Sequence, residues 1–371
     1  MQEDIFRYIK QQYTKDLPFV IYRKPQTNIV KAVCQNDDNL NVSTSLSESG
    51  FVFAPFDDEG ETIIFPLKDS EALKEEVSFL PETEDKQTPD TMSSEAERQH
   101  ISLVEKGVAE IKSGTFQKVV LSRRETVELP DFDFVRVFKR LLARYTSAFV
   151  YCWYHPKVGL WLGATPETLL KIDGQRLVTM SLAGTQKYEG SMDVTWGEKE
   201  LQEQQFVTDF ITEQLEDKVL AVAASPVRTV KAGPLVHLQT QISARLKPES
   251  NLSAIVKALH PTPAVCGLPK DKAKVFILQS EHYNRSFYTG FLGELHFKDK
   301  QTRNTNRRNV ENNVYGTVKT VSHLFVNLRC MQVEGNSVQV YVGGGITKDS
   351  NPKAEFLETV HKAETMKKVL F

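Results

Sequence analysis

Three strand-like runs, 148-AFVYCWY-154, 158-VGLWLGA-164 and 176-RLVTMSLAGT-185, follow one another at short intervals. Strands this close in sequence pair antiparallel, because a parallel pair needs a crossover of a dozen or more residues. The pattern recurs at 287-FYTGFLGEL-295, 318-VKTVSHLFVNLRC-330 and 337-SVQVYVGGG-345, and earlier at 17-LPFVIYR-23, 50-GFVFAPF-56 and 61-ETIIFPL-67. Helical patterns interrupt these runs without alternating with them, which argues against a βαβ repeat. The expectation is an α+β fold with a large, mainly antiparallel sheet core surrounded by helices.

Two regions are expected: a strand-rich one over 1–93, packed on the main unit, and a catalytic domain over 94–371. The segment 81–97 is polar and proline-containing and reads as a linker or long surface loop; 298–313 reads as a surface hairpin loop. Ser94 and Glu97 fit a capping box, Ile101, Val104, Val108 and Ile111 recur at helical spacing, and Gly114 supplies a stop. A second helix is expected over 197–216 with Leu201, Phe206, Phe210, Ile211 and Leu215 buried, and others near 252–259 and 272–282. The last begins at Pro352, capped by Asn351.

Composition narrows the function classes. The 371 residues are 40% hydrophobic and carry a formal net charge of -2, so nothing calls for a nucleic-acid or anionic-membrane partner. The four cysteines lie far apart with no C-x-x-C pair, which favours reduced, buried thiols over a zinc site or disulfide framework. The N-terminus is charged from its third residue and no apolar run approaches the ~20 residues a bilayer span needs, so a cytoplasmic protein is expected.

Several segments hold groups able to do chemistry. Lys118, in 116-FQKVVLSRRE-125, shares a strand face with Phe116 and Val120. It is either an edge-strand lysine reaching solvent or a base tuned by its surroundings. Glu200 and Glu203, and again Glu355 and Glu358, stand three apart on helices. Each pair alone reads as solvated surface; facing each other, the two pairs would form a cluster requiring a hard cation such as Mg2+. The glycines of 343-GGGITKDSNP-352 join a strand to a helix without a nucleotide-loop signature, leaving a tight turn or a ligand lying on bare amides. Glu167 follows Thr165-Pro166 at a turn, and His260 follows an apolar helix that it could simply cap.

In this order, FQKVVLSRR, LGATPETLL, SLAGT, KELQEQ, LHPTPAVCGLP, the E-x-x-x-R-x-F-Y-T-G run from Glu281 to Gly290, NLRC and GGGITKDSNPKAEFLETVHKA resemble the chorismate-utilising enzymes. That family comprises isochorismate and salicylate synthases and the large subunits of anthranilate and aminodeoxychorismate synthases. The resemblance runs from about Glu95 to the C-terminus. It implies a Mg2+-dependent isomerase converting chorismate to isochorismate, since members that add water carry lysine at Lys118 whereas those that add ammonia carry glutamine. Ala183 stands where aminodeoxychorismate synthases typically carry a nucleophilic lysine. By the same resemblance Lys118 is the general base and Glu167 the general acid. Glu203 and Glu358 bind the metal, with Glu200 and Glu355 holding its waters. Ala183, Gly184, Thr185, His260, Tyr288, Arg329, Gly344, Gly345 and Lys362 frame the substrate. The resemblance further implies a role in menaquinone biosynthesis, with siderophore or salicylate synthesis as the alternative, in a monomer without a glutaminase subunit. Gln204, Gly344 and Cys266 depart from the residues usual at their positions.

Overall fold

The computed structural model describes residues 4–78, 93–232, 235–301 and 317–371. The linker expected from 81 and most of the loop expected over 298–313 therefore lie outside the described residues. The antiparallel core is divided into two sheets. The first runs, edge to edge, Gly267–Leu268, Lys118–Glu128, Ser337–Ile346, Cys330–Glu334, Gly159–Thr165, Phe149–His155, Phe19–Arg23, Ile29–Gln35 and Ser70–Glu76. The second runs Val219–Ala224, Leu235–Leu246, Arg176–Lys187, Thr168–Asp173, Thr317–Val326, Phe291–Gln301, Gly50–Ala54 and Ile63–Pro66, with Arg228–Ala232 also on Leu235–Leu246. Strands from the first 78 residues enter both sheets.

Period-two alternation explains the layering, because successive strand residues point to opposite faces. In Phe19–Arg23, Phe19 and Ile21 pack outward with the helices Ile5–Thr14 and Phe134–Arg144, whereas Val20 and Tyr22 enter the space between the sheets. In Gly50–Ala54, Phe51 and Phe53 face that space, and Val52 and Ala54 join the helices Glu198–Glu216 and Leu252–Leu259 on the far side. The layer between the sheets is aromatic: Phe53 stacks on Phe287 at 4.2 Å, Phe65 on Trp153 at 5.1 Å and Phe149 on Phe325 at 4.2 Å. Such rings contribute large apolar area to the core. Helices Ser94–Lys112 and Lys270–Ser280 cover Val119 and Leu121 of the Lys118 strand.

Several helix limits agree with the sequence reading. Leu252–Leu259 is a helix, and Asn351 caps Pro352–Lys367 by accepting from the Ala354 amide. The cap of Ser94–Lys112 is Ser93 rather than Ser94, its hydroxyl accepting from Glu95 and Ala96. The buried stripe of Glu198–Glu216 also differs. Leu201 and Phe206 are exposed, and the buried positions are Gln204, Val207, Thr208, Ile211 and Leu215. The true stripe includes polar residues because Gln204 and Thr208 hydrogen-bond Ser181 on the Arg176–Lys187 strand beneath, so hydrophobicity alone mislocates it. All four cysteines are free and buried.

One charged group ties the sheets together. Glu294, on the second sheet and 1% exposed, accepts from Tyr22 at 2.7 Å, Lys24 at 2.7 Å and Lys31 at 2.8 Å, all reaching from the first sheet's side. Burial alone would raise its pKa, but Lys24 and Lys31 outweigh it and hold the carboxyl down at about 2. Its contribution to stability is therefore complete above the ordinary carboxylate pKa of 4.5 and is lost as pH falls toward 2. Glu294→Gln is expected to cost about 3 kcal/mol at pH 7 in urea unfolding, with the gap from wild type closing as pH falls from 4.5 toward 2.

Candidate active site

The Lys118 strand lies between Ser337–Ile346 and the two-residue strand Gly267–Leu268, so beyond Val119 one edge lacks a strand partner. Side chains supply the missing bonds. Arg285 donates to the Val120 carbonyl at 2.7 Å, and Glu281 accepts from the Ser122 amide at 2.7 Å. Arg285 and Glu281 form a buried ion pair at 2.6 Å, and the arginine also reaches the Val265 carbonyl. Lys118 is thereby held inside the molecule with its side chain 14% exposed, which disposes of the solvent-reaching reading. Its Nζ lies 2.5 Å from Glu203 Oε1. A Cβ at Gly345 would lie 3.2 Å from Lys118 Cε, so the glycine there makes room for the lysine stem.

Glu167 occupies the crossing from Gly159–Thr165 in the first sheet to Thr168–Asp173 in the second. Arg329 occupies a crossing in the opposite direction, between Thr317–Val326 and Cys330–Glu334. The crossings are stitched together: the Val326 amide donates to the Glu167 carbonyl and the Ala164 amide to the Arg329 carbonyl, each at 3.0 Å. Burial pushes the Glu167 carboxyl up to about 7, against the opposing pull of the Lys118 ammonium and the Thr262 hydroxyl. A carboxyl so placed keeps a proton near neutral pH. Burial lowers the pKa of Arg329 from its ordinary value, with Tyr145 opposing.

Tyr288 is buried, stacks on Tyr341 at 5.4 Å and places its hydroxyl 3.0 Å from where a Gly343 Cβ would stand. His260 does cap its helix, its amide donating to the Val256 carbonyl. Its ring does more: Nε2 lies 3.0 Å from the Thr289 carbonyl, so this nitrogen donates, and burial lowers the ring pKa to about 4 and keeps it neutral.

The glutamates meet the glycine strand. Above Gly344, Glu355 Oε2 and Glu358 Oε1 lie 3.7 and 3.8 Å from the position of an added Cβ. Lys362 Nζ is 2.6 Å from Glu358 Oε1 and 3.1 Å from the Gly343 carbonyl. Glu203 and Glu358 are thus each capped by a lysine ammonium. Glu200 packs against Gly184, whose Cβ would approach that of Glu200 to 3.2 Å. Among the described residues no three of these donor types stand close enough together to hold a metal ion. Carboxylate oxygens are nonetheless the donor type a hard cation takes, and Mg2+ is commonly held by only one or two of them.

The structure therefore brings Lys118 together with Glu203 and Gly345, sets Lys118 within electrostatic reach of Glu167, and gathers Glu355, Glu358, Lys362 and Gly344. Ala183 is buried one residue before Gly184, and the side chain of Thr185 lies outside the described residues. Sequence reasoning missed His237, whose Nδ1 lies 3.0 Å from the Gly184 carbonyl, and the clamp formed by Glu281 and Arg285. The clamp's signal was the four-residue spacing within the E-x-x-x-R run. Because the raised Glu167 pKa favours folding with the proton on, that contribution is complete below 4.5 and is lost as pH rises through 7. Glu167→Gln is accordingly expected to be more stable than wild type at pH 8, by up to about 3 kcal/mol, and near it at pH 4.5, as read by unfolding midpoints.

A family model described as chorismate binding enzyme matches residues 53–301, and a second of the same description matches 314–368. Isochorismate synthase MenF of Haemophilus influenzae is 27% identical over 328 residues, 83% of this chain and 70% of that protein. Isochorismate synthase DhbC of Bacillus subtilis is 29% identical over 71% of this chain and 65% of its own length. The salicylate biosynthesis isochorismate synthase of Pseudomonas aeruginosa is 29% identical over 75% of this chain and 56% of its own. Among solved structures, the menaquinone-specific isochorismate synthase MenF of Escherichia coli superposes with a TM-score of 0.77 at 19% identity, covering 100% of this chain and 92% of that one. Anthranilate synthase component I of Streptococcus pneumoniae gives 0.64 at 18% identity, covering 94% and 90%. The two structures share this fold.

Proposed function

The chain belongs to the chorismate-binding enzyme family, and on that premise we propose that it is an isochorismate synthase, an isomerase converting chorismate to isochorismate. One observation carries the reading: a lysine only 14% exposed and a buried carboxyl that keeps its proton near pH 7 stand within electrostatic reach of each other. Water is a poor nucleophile and hydroxide a poor leaving group, so the reaction needs a base and an acid together. Lys118, released from Glu203 and with its ammonium proton given up to solvent, takes as the neutral amine a proton from the water that attacks C2 of the ring. Glu167 delivers its proton to the C4 hydroxyl, which departs as water while the ring double bonds shift. A positioned acid or base contributes typically ~10²- to 10⁴-fold each.

The substrate's enolpyruvyl carboxylate is assigned to Arg329 and Tyr288, where a partly buried guanidinium beside a buried tyrosine offers a fork to two oxygens. His260, Ala183, Gly184, Thr185, Gly344, Gly345 and Lys362 frame the ring. Glu203 and Glu358 would hold Mg2+ in exchange for their ammonium partners, with Glu200 and Glu355 holding its waters. When bound, that ion screens the ring carboxylate and stabilises charge as the ring rearranges. We adopt the menaquinone branch, on the MenF alignment that spans 83% of the chain. The enzyme needs no glutaminase subunit in this reading, because water is the nucleophile. Among the described residues no helix is long and apolar enough to cross a membrane.

Incubation with chorismate and Mg2+, with products separated by chromatography, is expected to yield isochorismate and to yield none after EDTA. Salicylate with pyruvate would extend the reading to a lyase step, and absence of any product would refute it. Lys118→Gln should still bind chorismate yet lose at least ~10²-fold in turnover. Turnover should fall as pH rises above about 7, where Glu167 loses its proton, and a flat profile to pH 9 would remove Glu167 as the acid. Glu358→Gln should weaken Mg2+ binding in calorimetry; an unchanged titration would remove it from the ligands.

A further inference from the structure

At three of the residues assigned to frame the ring, Ala183, Gly184 and Thr185, the second sheet is irregular. Ala183 pairs with Leu238 and Gln186 with Val236, so Gly184 and Thr185 both stand against the single residue His237. Gly184 takes φ +67, and the arrangement is a β-bulge, which interrupts ladder bonding and recurs beside active sites. The Gly184 carbonyl must then find a donor off the ladder. His237 Nδ1 stands 3.0 Å from it, and since a carbonyl only accepts, Nδ1 carries the proton. On its other side the bulge is wedged: a Cβ on Gly184 would meet Glu200 Cβ at 3.2 Å and Trp196 at 3.4 Å. The imidazole itself is partly buried, held toward its neutral form first by that burial, and lies within electrostatic reach of Arg329, Lys362 and Glu358.

We propose that His237 is a positioning residue for substrate: its Nδ1–H, bonded to the Gly184 carbonyl, sets the orientation of the Gly184–Thr185 peptide and so aims the Thr185 amide at a substrate carboxylate. The physical link is the planar trans peptide, in which holding the C=O in one direction holds the next N–H in the opposite one. A bulge has no second strand to do this, because its extra residue is unpaired. The side chain therefore performs a task that the ladder performs elsewhere on the strand. The inference rests on the isochorismate synthase reading for the identity of the ligand, not for the geometry of the bond.

Two substitutions separate the hydrogen bond from the packing. His237→Asn places an amide N–H near the position of Nδ1 and sacrifices ring volume; His237→Phe keeps the ring and sacrifices the donor. The expected result is that Asn stays within about threefold of wild type in KM for chorismate, whereas Phe raises KM roughly tenfold to a hundredfold with kcat less affected, as for loss of a donor serving a charged group. Phe like wild type, or Asn as impaired as Phe, would overturn the proposal in favour of packing. A third measurement needs no variant to fold: in protein carrying 15N-labelled histidine, His237 should show the Nδ1–H tautomer without ligand, and an Nε2–H tautomer would overturn it. If that tautomer is found but wild type neither binds nor converts chorismate, the functional reading fails and the carboxylate assignment is refuted with it, while the bond to Gly184 stands.

Discussion

The buried ion pair of Glu281 and Arg285 is the contact on which the placement of Lys118 depends. Removing two charges from water is costly and is tolerated only where geometry and further hydrogen bonds are good. Both conditions hold: the carboxylate accepts from the Ser122 amide and hydroxyl, and the guanidinium donates to Val265, Val120 and the Thr289 hydroxyl besides its partner. The pair acts as a surrogate strand along an edge that would otherwise expose unpaired peptide groups. It also joins three pieces of chain, the Lys118 strand, the turn before Gly267 and the segment leading to Tyr288, so their relative positions are set by one polar contact.

A second constraint comes from the division of the core. A chain that builds two facing antiparallel sheets has to cross between them, and at each crossing the regular ladder stops. Glu167 and Arg329 sit at two such crossings, tied to each other's flanks by main-chain hydrogen bonds. Side chains there are free of the strict in-out alternation of a strand, yet are packed deeply enough for burial to move their proton affinities. The same burial that moves Glu167 toward neutral pH costs folding energy that builds as pH rises from 4.5 through 7, a cost located at the residue assigned to proton delivery.

The carboxylates illustrate how pairing differs from clustering. Glu203 and Glu358 are on different helices, and each is neutralised by a lysine before any other cation is considered. Lys362 follows Glu358 by one helical turn, a contact expected from spacing alone. Lys118 is 85 residues from Glu203, and nothing local links them.

Local chemistry made much of the chain legible in its sequence. Turn-linked strand runs implied antiparallel pairing, Asn351 and Pro352 marked a helix start, and the eight ordered motifs pointed to the family and to the residues now found around Lys118 and Gly344. Other features required the tertiary structure. The split into two sheets was hidden because strands buried on both faces read as continuous apolar runs, with nothing to say which neighbour lies on which side. The stripe of Glu198–Glu216 was misread because Gln204 and Thr208 are buried by hydrogen bonds to Ser181, which only the packed structure supplies. His237 drew no attention as one histidine in a strand, since its partner is a bulge carbonyl 53 residues away. Local sequence specifies what depends on neighbours within a turn or two and which residue types are on hand; folding specifies which distant groups share a buried space, because burial and hydrogen bonding between remote segments have no local signature.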